Sequence, residues 1–121
     1  MKEEFVDYET AKLAYEKGFT VFTEYEYRED TLNNIELCHK SNCIHDHIIN
    51  RCSVPTQSLL QKWLRDVHNF NITILCVNKQ RKYIYVIPEI TNKEVNHGIE
   101  YINYEEALKE GLSKALELIK Q

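Results

Sequence analysis

Apolar positions along the chain recur first at helical intervals, then at strand intervals, and the two periods keep exchanging as far as the last residues. Ala11, Ala14 and Tyr15 fall on one side of a helical projection, opposite Glu9, Lys12, Glu16 and Lys17, so the spacing predicts an amphipathic helix. Asp7 is its N-cap, Phe5 and Val6 precede the cap as a candidate hydrophobic staple, and Gly18 ends it. Beyond the glycine, Val21, Thr23, Tyr25 and Tyr27 alternate with Phe22, Glu24 and Glu26, which predicts a strand over Phe19 to Tyr27 with one wetter face. Arg28 to Asn34 reads as a polar turn and Ile35 to Cys38 as a short return strand.

The helical period returns after SVPT. Pro55 suits a helix entry, Thr56 caps it, and Leu59, Leu60, Trp63, Leu64 and Val67 form one apolar stripe, with Trp63 the first expected core residue and Asn69 closing the helix. Ile72 to Val77 and Tyr83 to Ile87 are β-branched and aromatic on both faces, which predicts a central antiparallel hairpin ended by Pro88. Thr91 to Gly98 reads as a loop and Ile99 to Ile102 as a short strand. The last helix opens with Asn103-x-x-Glu106, a capping box by type, and carries Leu108, Gly111, Leu112, Ala115 and Ile119 at helical intervals. This order predicts an α+β domain, an antiparallel sheet of about four strands with two or three helices packed on one face.

Length and composition narrow the class without changing it. With 121 residues, 43% hydrophobic and 28% charged, the chain fits a single domain over residues 1–121 that buries roughly two-thirds of its unfolded surface. No apolar run approaches the roughly 18 residues of a spanning helix, and MKEEFVDYE is acidic where an export signal is basic and then apolar. The expectation is a soluble protein of the cytoplasm. A formal net charge of -4 argues against general affinity for nucleic-acid backbones, which takes an excess of Lys and Arg.

Candidate chemistry is concentrated in ELCHKSNCIHDHIINRC, the Cys/His-rich connection at residues 36–52. Cys38, Cys43, His45, His47 and Cys52, with His39 spare, are more soft donors than a tetrahedral zinc needs. The pattern C-x4-C-x-H-x-H-x4-C lacks the C-x2-C knuckle of common structural sites. Two readings stand here: bound zinc pinning the connection, or a solvated loop of unligated thiols. A hydrolytic metal at His45-Asp46-His47 would further need an open coordination position and a shaped pocket, neither of which a sequence displays. Cys76, within an apolar strand, reads as a small core residue. The three glycines, Gly18, Gly98 and Gly111, are too far apart for a phosphate loop.

Eight tyrosines offer a different chemistry. Tyr25, Tyr27, Tyr83 and Tyr85 lie on predicted strands, and an exposed row of them would supply rigid contact area to a partner. Tyr83 and Tyr85 share one strand face and Ile84 and Val86 the other. The tyrosine face is the candidate open side.

Three segments, EFVDYETAKLAYEKGF, VPTQSLLQKWLRDVHNFNI and YEEALKEGLSKALELI, together covering most of the chain, resemble a family of small accessory proteins encoded by phages and prophages of Bacteroides-type gut bacteria. The middle segment, with its Pro-Thr helix entry and Trp-Leu-Arg run, is the most specific. The resemblance implies a small protein that acts without catalysis in a bacterial host cytosol, and it carries over no catalytic residue or cofactor. The Cys/His cluster departs from that family's pattern. The expected function is binding of a host macromolecule, a host protein, with a defence component as one such target. The alternatives are a zinc-binding protein or metal-dependent enzyme centred on residues 38–52, and a protein that sequesters a small ligand or nucleotide between sheet and helices.

Overall fold

The computed structural model describes residues 4–44, 47–77, 82–88 and 99–119. Its helices begin and end where short-range chemistry places them. In α1 (Tyr8–Glu16) the Asp7 carboxylate accepts the Thr10 N–H at 2.9 Å, and Gly18 follows with φ of 100°, a backbone conformation that side chains disfavour. The Thr56 hydroxyl accepts the Leu59 N–H at the start of α2 (Gln57–His68), and Asn69 closes that helix in the left-handed region. Asn103 accepts the Glu106 N–H at the start of α3 (Tyr104–Glu117). Each cap satisfies a backbone donor that a helix end otherwise leaves unpaired.

The fold is α+β, with its strands divided between two antiparallel sheets. β1 (Tyr25–Asp30) lies between β2 (Ile35–His39) and β3 (Ile48–Ser53), while β4 (Thr73–Cys76) and β5 (Tyr83–Val86) form a separate ribbon. Two expectations shift as a result. The strand read over Phe19 to Tyr27 begins only at Tyr25 and runs on through Arg28 and Glu29, which the polarity of the segment had marked as a turn. Much of the expected Cys/His connection is strand as well, since Ile48 to Ser53 pairs with β1 from Glu26↔Ser53 to Asp30↔Ile48. The strand expected over Ile99 to Ile102 reduces to Tyr101, which exchanges two backbone hydrogen bonds with Tyr83 at 2.8 and 2.7 Å.

One apolar cluster joins both sheets to the helices. It includes Val6, Ala11, Ala14, Phe19, Val54, Leu60, Leu64, Ile72, Tyr85, Leu112 and Leu116. α1 packs on β3, α3 packs on β5 and β4, and α1 and α2 both meet α3. The stripe of α2 divides unevenly: Leu60 and Leu64 are fully buried, while Val67 is 58% exposed. Trp63 lies at the margin of the core with its ring edge-on to Phe19 (centroids 5.3 Å apart) and His68 (4.8 Å). At Gly111 the helix α3 comes close to Ile72 and to Tyr85 of the ribbon. A Cβ there would stand 2.9 Å from Ile72 Cγ2 and 3.1 Å from Tyr85 Cβ.

Candidate functional site

The strand register disperses the expected metal ligands. Glu26 faces Cys38 on one side and Ser53 on the other, whereas Tyr27 faces Leu37 and Cys52. Directly opposed residues share a sheet face and neighbours in a strand do not, so Cys38 and Cys52 point to opposite faces. Cys52 packs against the apolar core, where burial pushes its thiol up, Lys12 pulls it down and Glu16 adds to the rise. Such a thiol is a poor ligand and a poor nucleophile. Cys43 is exposed. His39 sets its ring edge-on to Tyr25, and its Nδ1 accepts the Ser41 N–H at 3.1 Å. His47 joins Cys38, Arg28, Asp30, Asn34 and Glu36 around a small cleft of ≈ 70 Å³. His45 lies outside the described residues. Among the described residues no three His, Cys, Asp or Glu side chains are grouped so as to hold a metal ion. The set of five is therefore not one site, because pairing with β1 turns Cys52 away from Cys38.

A polar network occupies the face that Cys38 shares. Glu26 and Arg28, expected on a wet face and in a turn, are 3% and 5% exposed. Arg28 Nε donates to Glu26 Oε2 at 2.6 Å, and Arg51 donates to both carboxylate oxygens at 2.8 and 3.0 Å. The rest of the Arg28 guanidinium donates to the carbonyls of Cys43 and Asn42 at 3.0 Å and of His39 at 3.4 Å. One side chain thus ties the turn after β2 to the middle strand. Burial alone would raise the Glu26 carboxyl, but the hydrogen bonds and charges of Arg51 and Arg28 outweigh it and hold the group below its ordinary value. The sequence did carry a signal for this network, opposite charges two residues apart on one strand face.

The tyrosine face is likewise not the open one. Tyr85 is 6% exposed and lies against Gly111 of α3. Tyr83 is half-buried, in the ladder with Tyr101 and edge-on to Tyr104. Tyr25 stacks at a tilt on Phe5, with centroids 5.0 Å apart, and Tyr27 donates its hydroxyl to the Val6 carbonyl at 2.7 Å. Burial, followed by the charges of Asp7 and Cys52, pushes the Tyr27 phenol up. The ribbon's outer face instead presents Leu75, 46% exposed, opposite Ile84. Cys76, expected in the core, is exposed. Among the described residues the ribbon is covered on a single face, which leaves Leu75 outside, whereas Cys76, opposite Tyr83, lies on the covered face and is exposed at the end of its strand.

An open groove of ≈ 780 Å³ lies between α2 and the segment leading into β1. Phe5, Phe22, Tyr25, Val54 and Leu59 supply apolar lining, and Glu24, Lys62 and Arg65 supply charge. Phe22 is 76% exposed beside it. Lys40 stands over the Phe22 ring, 4.8 Å from its centroid, while donating to Ser53 Oγ at 2.8 Å. Aromatic side chains with a polar rim are what a binding cleft requires, and the volume lies within the usual range for ligand sites. No helix of the described residues is long and apolar enough to cross a membrane. No protein-family model matches the chain, and no curated protein or solved structure matches it.

Proposed function

We propose that this chain acts by binding, as a small phage-type accessory protein that occupies a host macromolecule in the bacterial cytosol and so interferes with its work, with counter-defence as one such role. The observation that supports the reading is the groove beside α2. It joins exposed and half-buried aromatic rings to charged groups of both signs, a composition suited to a polypeptide partner whose anchor side chain enters apolar surroundings inside a polar rim.

Capture from host lysate tests it, with wild type compared against Phe22→Ala and Arg65→Glu. Both residues are exposed, so the folded state should survive either change. Loss of the same captured protein in both variants, with an unchanged thermal transition, is the expected result. Identical capture by all three proteins would dismiss the groove. A second reading, sequestration of a small aromatic ligand or nucleotide, draws on the volume of the same groove. Mass spectrometry of material released by denaturing the purified protein separates the two, because a stoichiometric small molecule favours the second.

A further inference from the structure

The groove beside α2 has a wall of unpaired backbone, and this carries an inference that rests on the binding reading above and names the chemistry of the partner. The Tyr25 carbonyl accepts the Val54 N–H at 3.1 Å, just beyond the end of β3. The next residue, Pro55, has no N–H with which to continue the ladder, and the chain turns into α2. Among the described residues, Phe22, Thr23 and Glu24 therefore have α2 across the groove where a further strand would otherwise lie. Thr23 is 7% exposed, and its hydroxyl donates to the Tyr25 carbonyl at 2.9 Å. Its backbone N–H and carbonyl have no hydrogen-bond partner among the described residues. Buried backbone groups are nearly always paired, so an open donor and an open acceptor on one residue of a cleft wall mark a place for a group that offers both.

The second observation is electrostatic. On a chain of net charge -4, Lys62 and Arg65 line this groove and share Asp66 as a carboxylate partner. Lys40, above the Phe22 ring, donates to the Ser53 hydroxyl rather than to a carboxylate. Glu24 alone of the lining residues is acidic. Three cations therefore stand around two carboxylates, and Lys62 and Arg65 are long, exposed side chains that can turn toward a carboxylate brought by a partner.

We propose that the groove takes an extended, acidic segment of a partner polypeptide. Its backbone bonds to Thr23, an apolar side chain sits among Phe5, Tyr25 and Leu59, and a carboxylate lies against Lys62 and Arg65. A peptide backbone presents a donor and an acceptor together, and an extended segment added beside unpaired backbone draws affinity from main-chain bonds and specificity from side-chain pockets. A phosphate group supplies acceptors alone and would leave the Thr23 carbonyl unpaired. The sign of the charge selects among peptides: a basic segment would meet the excess of cations and be repelled.

Selection of random short peptides displayed on phage against the intact protein, followed by fluorescence polarisation with the labelled selected peptide, tests this. The expected sequences place Asp or Glu beside Phe, Leu or Ile. Lys62→Glu combined with Arg65→Glu should weaken their binding at least about tenfold, with an unchanged thermal transition, whereas Leu75→Lys on the ribbon should leave it unchanged. N-methylation of the peptide backbone, one position at a time, should cost at least about tenfold at one position and little at its neighbours, a pattern that side-chain contacts alone do not produce. Failure to select any peptide, selected peptides with no acidic excess, or N-methylation without effect at every position overturns the proposal. Capture from lysate that still depends on Phe22 would then keep the groove as a binding site, so the two readings fail separately. A single-stranded oligothymidylate bound as tightly as the selected peptide, and lost in the same double variant, also overturns it in favour of nucleic acid.

Discussion

The two sheets are fastened to the rest of the molecule in opposite ways. The sheet β2-β1-β3 packs one face on the core through Tyr25, Tyr27 and Cys52 and closes the other with ions and carbonyls, as Glu26, Arg28 and Arg51 bind one another and Arg28 binds the turn after β2. Among the described residues the ribbon β4-β5 has no such cover. It is held by Ile74 and Tyr85 against the core and by the close approach at Gly111. A polar closure is specific and unforgiving, since removal of one partner strands the others in a poorly solvated place. An apolar closure tolerates change in proportion to volume.

That contrast can be broken by substitution. Arg28→Ala should have the largest effect, a loss of about 3–5 kcal/mol, because it removes one of the two partners of buried Glu26 and leaves the Asn42 and Cys43 carbonyls without their donor. Urea denaturation measures it, and Arg28→Lys should recover little, since an ammonium cannot fork to carboxylate and carbonyls together. A loss under 1 kcal/mol would show that water replaces the guanidinium and that the closure is not polar in the sense argued. Gly111→Ala comes next. The added methyl gains helix propensity but meets Ile72 and Tyr85 inside contact distance, so a net loss of about 1–3 kcal/mol is expected by the same measurement. Stabilisation instead would mean that the ribbon can move off α3 freely.

Mild acid is the gentlest probe. The Glu26 carboxyl in the folded chain lies below its ordinary value, and Asp7 does too, burial raising it but Thr10 and Lys109 more than compensating. Groups held down in this way stabilise the fold above the ordinary carboxylate range, and that contribution disappears as pH falls through the folded values. Stability should therefore hold between pH 7 and about pH 5 and fall below about pH 4. Amide exchange should show β1 and β3 losing protection before β4 and β5. Simultaneous loss in both sheets would mean that they open as one unit.

Much of the frame was legible. Asp7, Thr56, Asn69 and Asn103 cap the helices expected of them, because a cap is a contact between residues three or four apart and needs no distant partner. β3 was not legible. Its residues include Asn50, Arg51 and Cys52, and they become strand only because β1, more than twenty positions earlier, offers a ladder. The burial of Arg28 was hidden for the same reason, since it depends on Glu26 and on carbonyls brought in by the turn after β2. For the candidate site, composition located the Cys/His cluster but not its scattering, which follows from alternation in a register that only pairing sets. The groove beside α2 had no linear signature, as its lining comes from Phe5, from Phe22 to Tyr25 and from α2.

The sequence by itself determined the helices, their ends, the β4-β5 hairpin and the α+β class, because periodicity and capping are local and are written within a few residues. Which face of each strand turned inward was decided only in three dimensions. In the ribbon both faces are apolar, so nothing along the chain prefers Tyr85 over Ile84. The preference arises where Gly111 leaves room for Tyr85 Cβ beneath α3. In the larger sheet, burial of Glu26 and Arg28 requires Arg51 and the turn carbonyls to be in place first, and those partners meet only when the chain has folded.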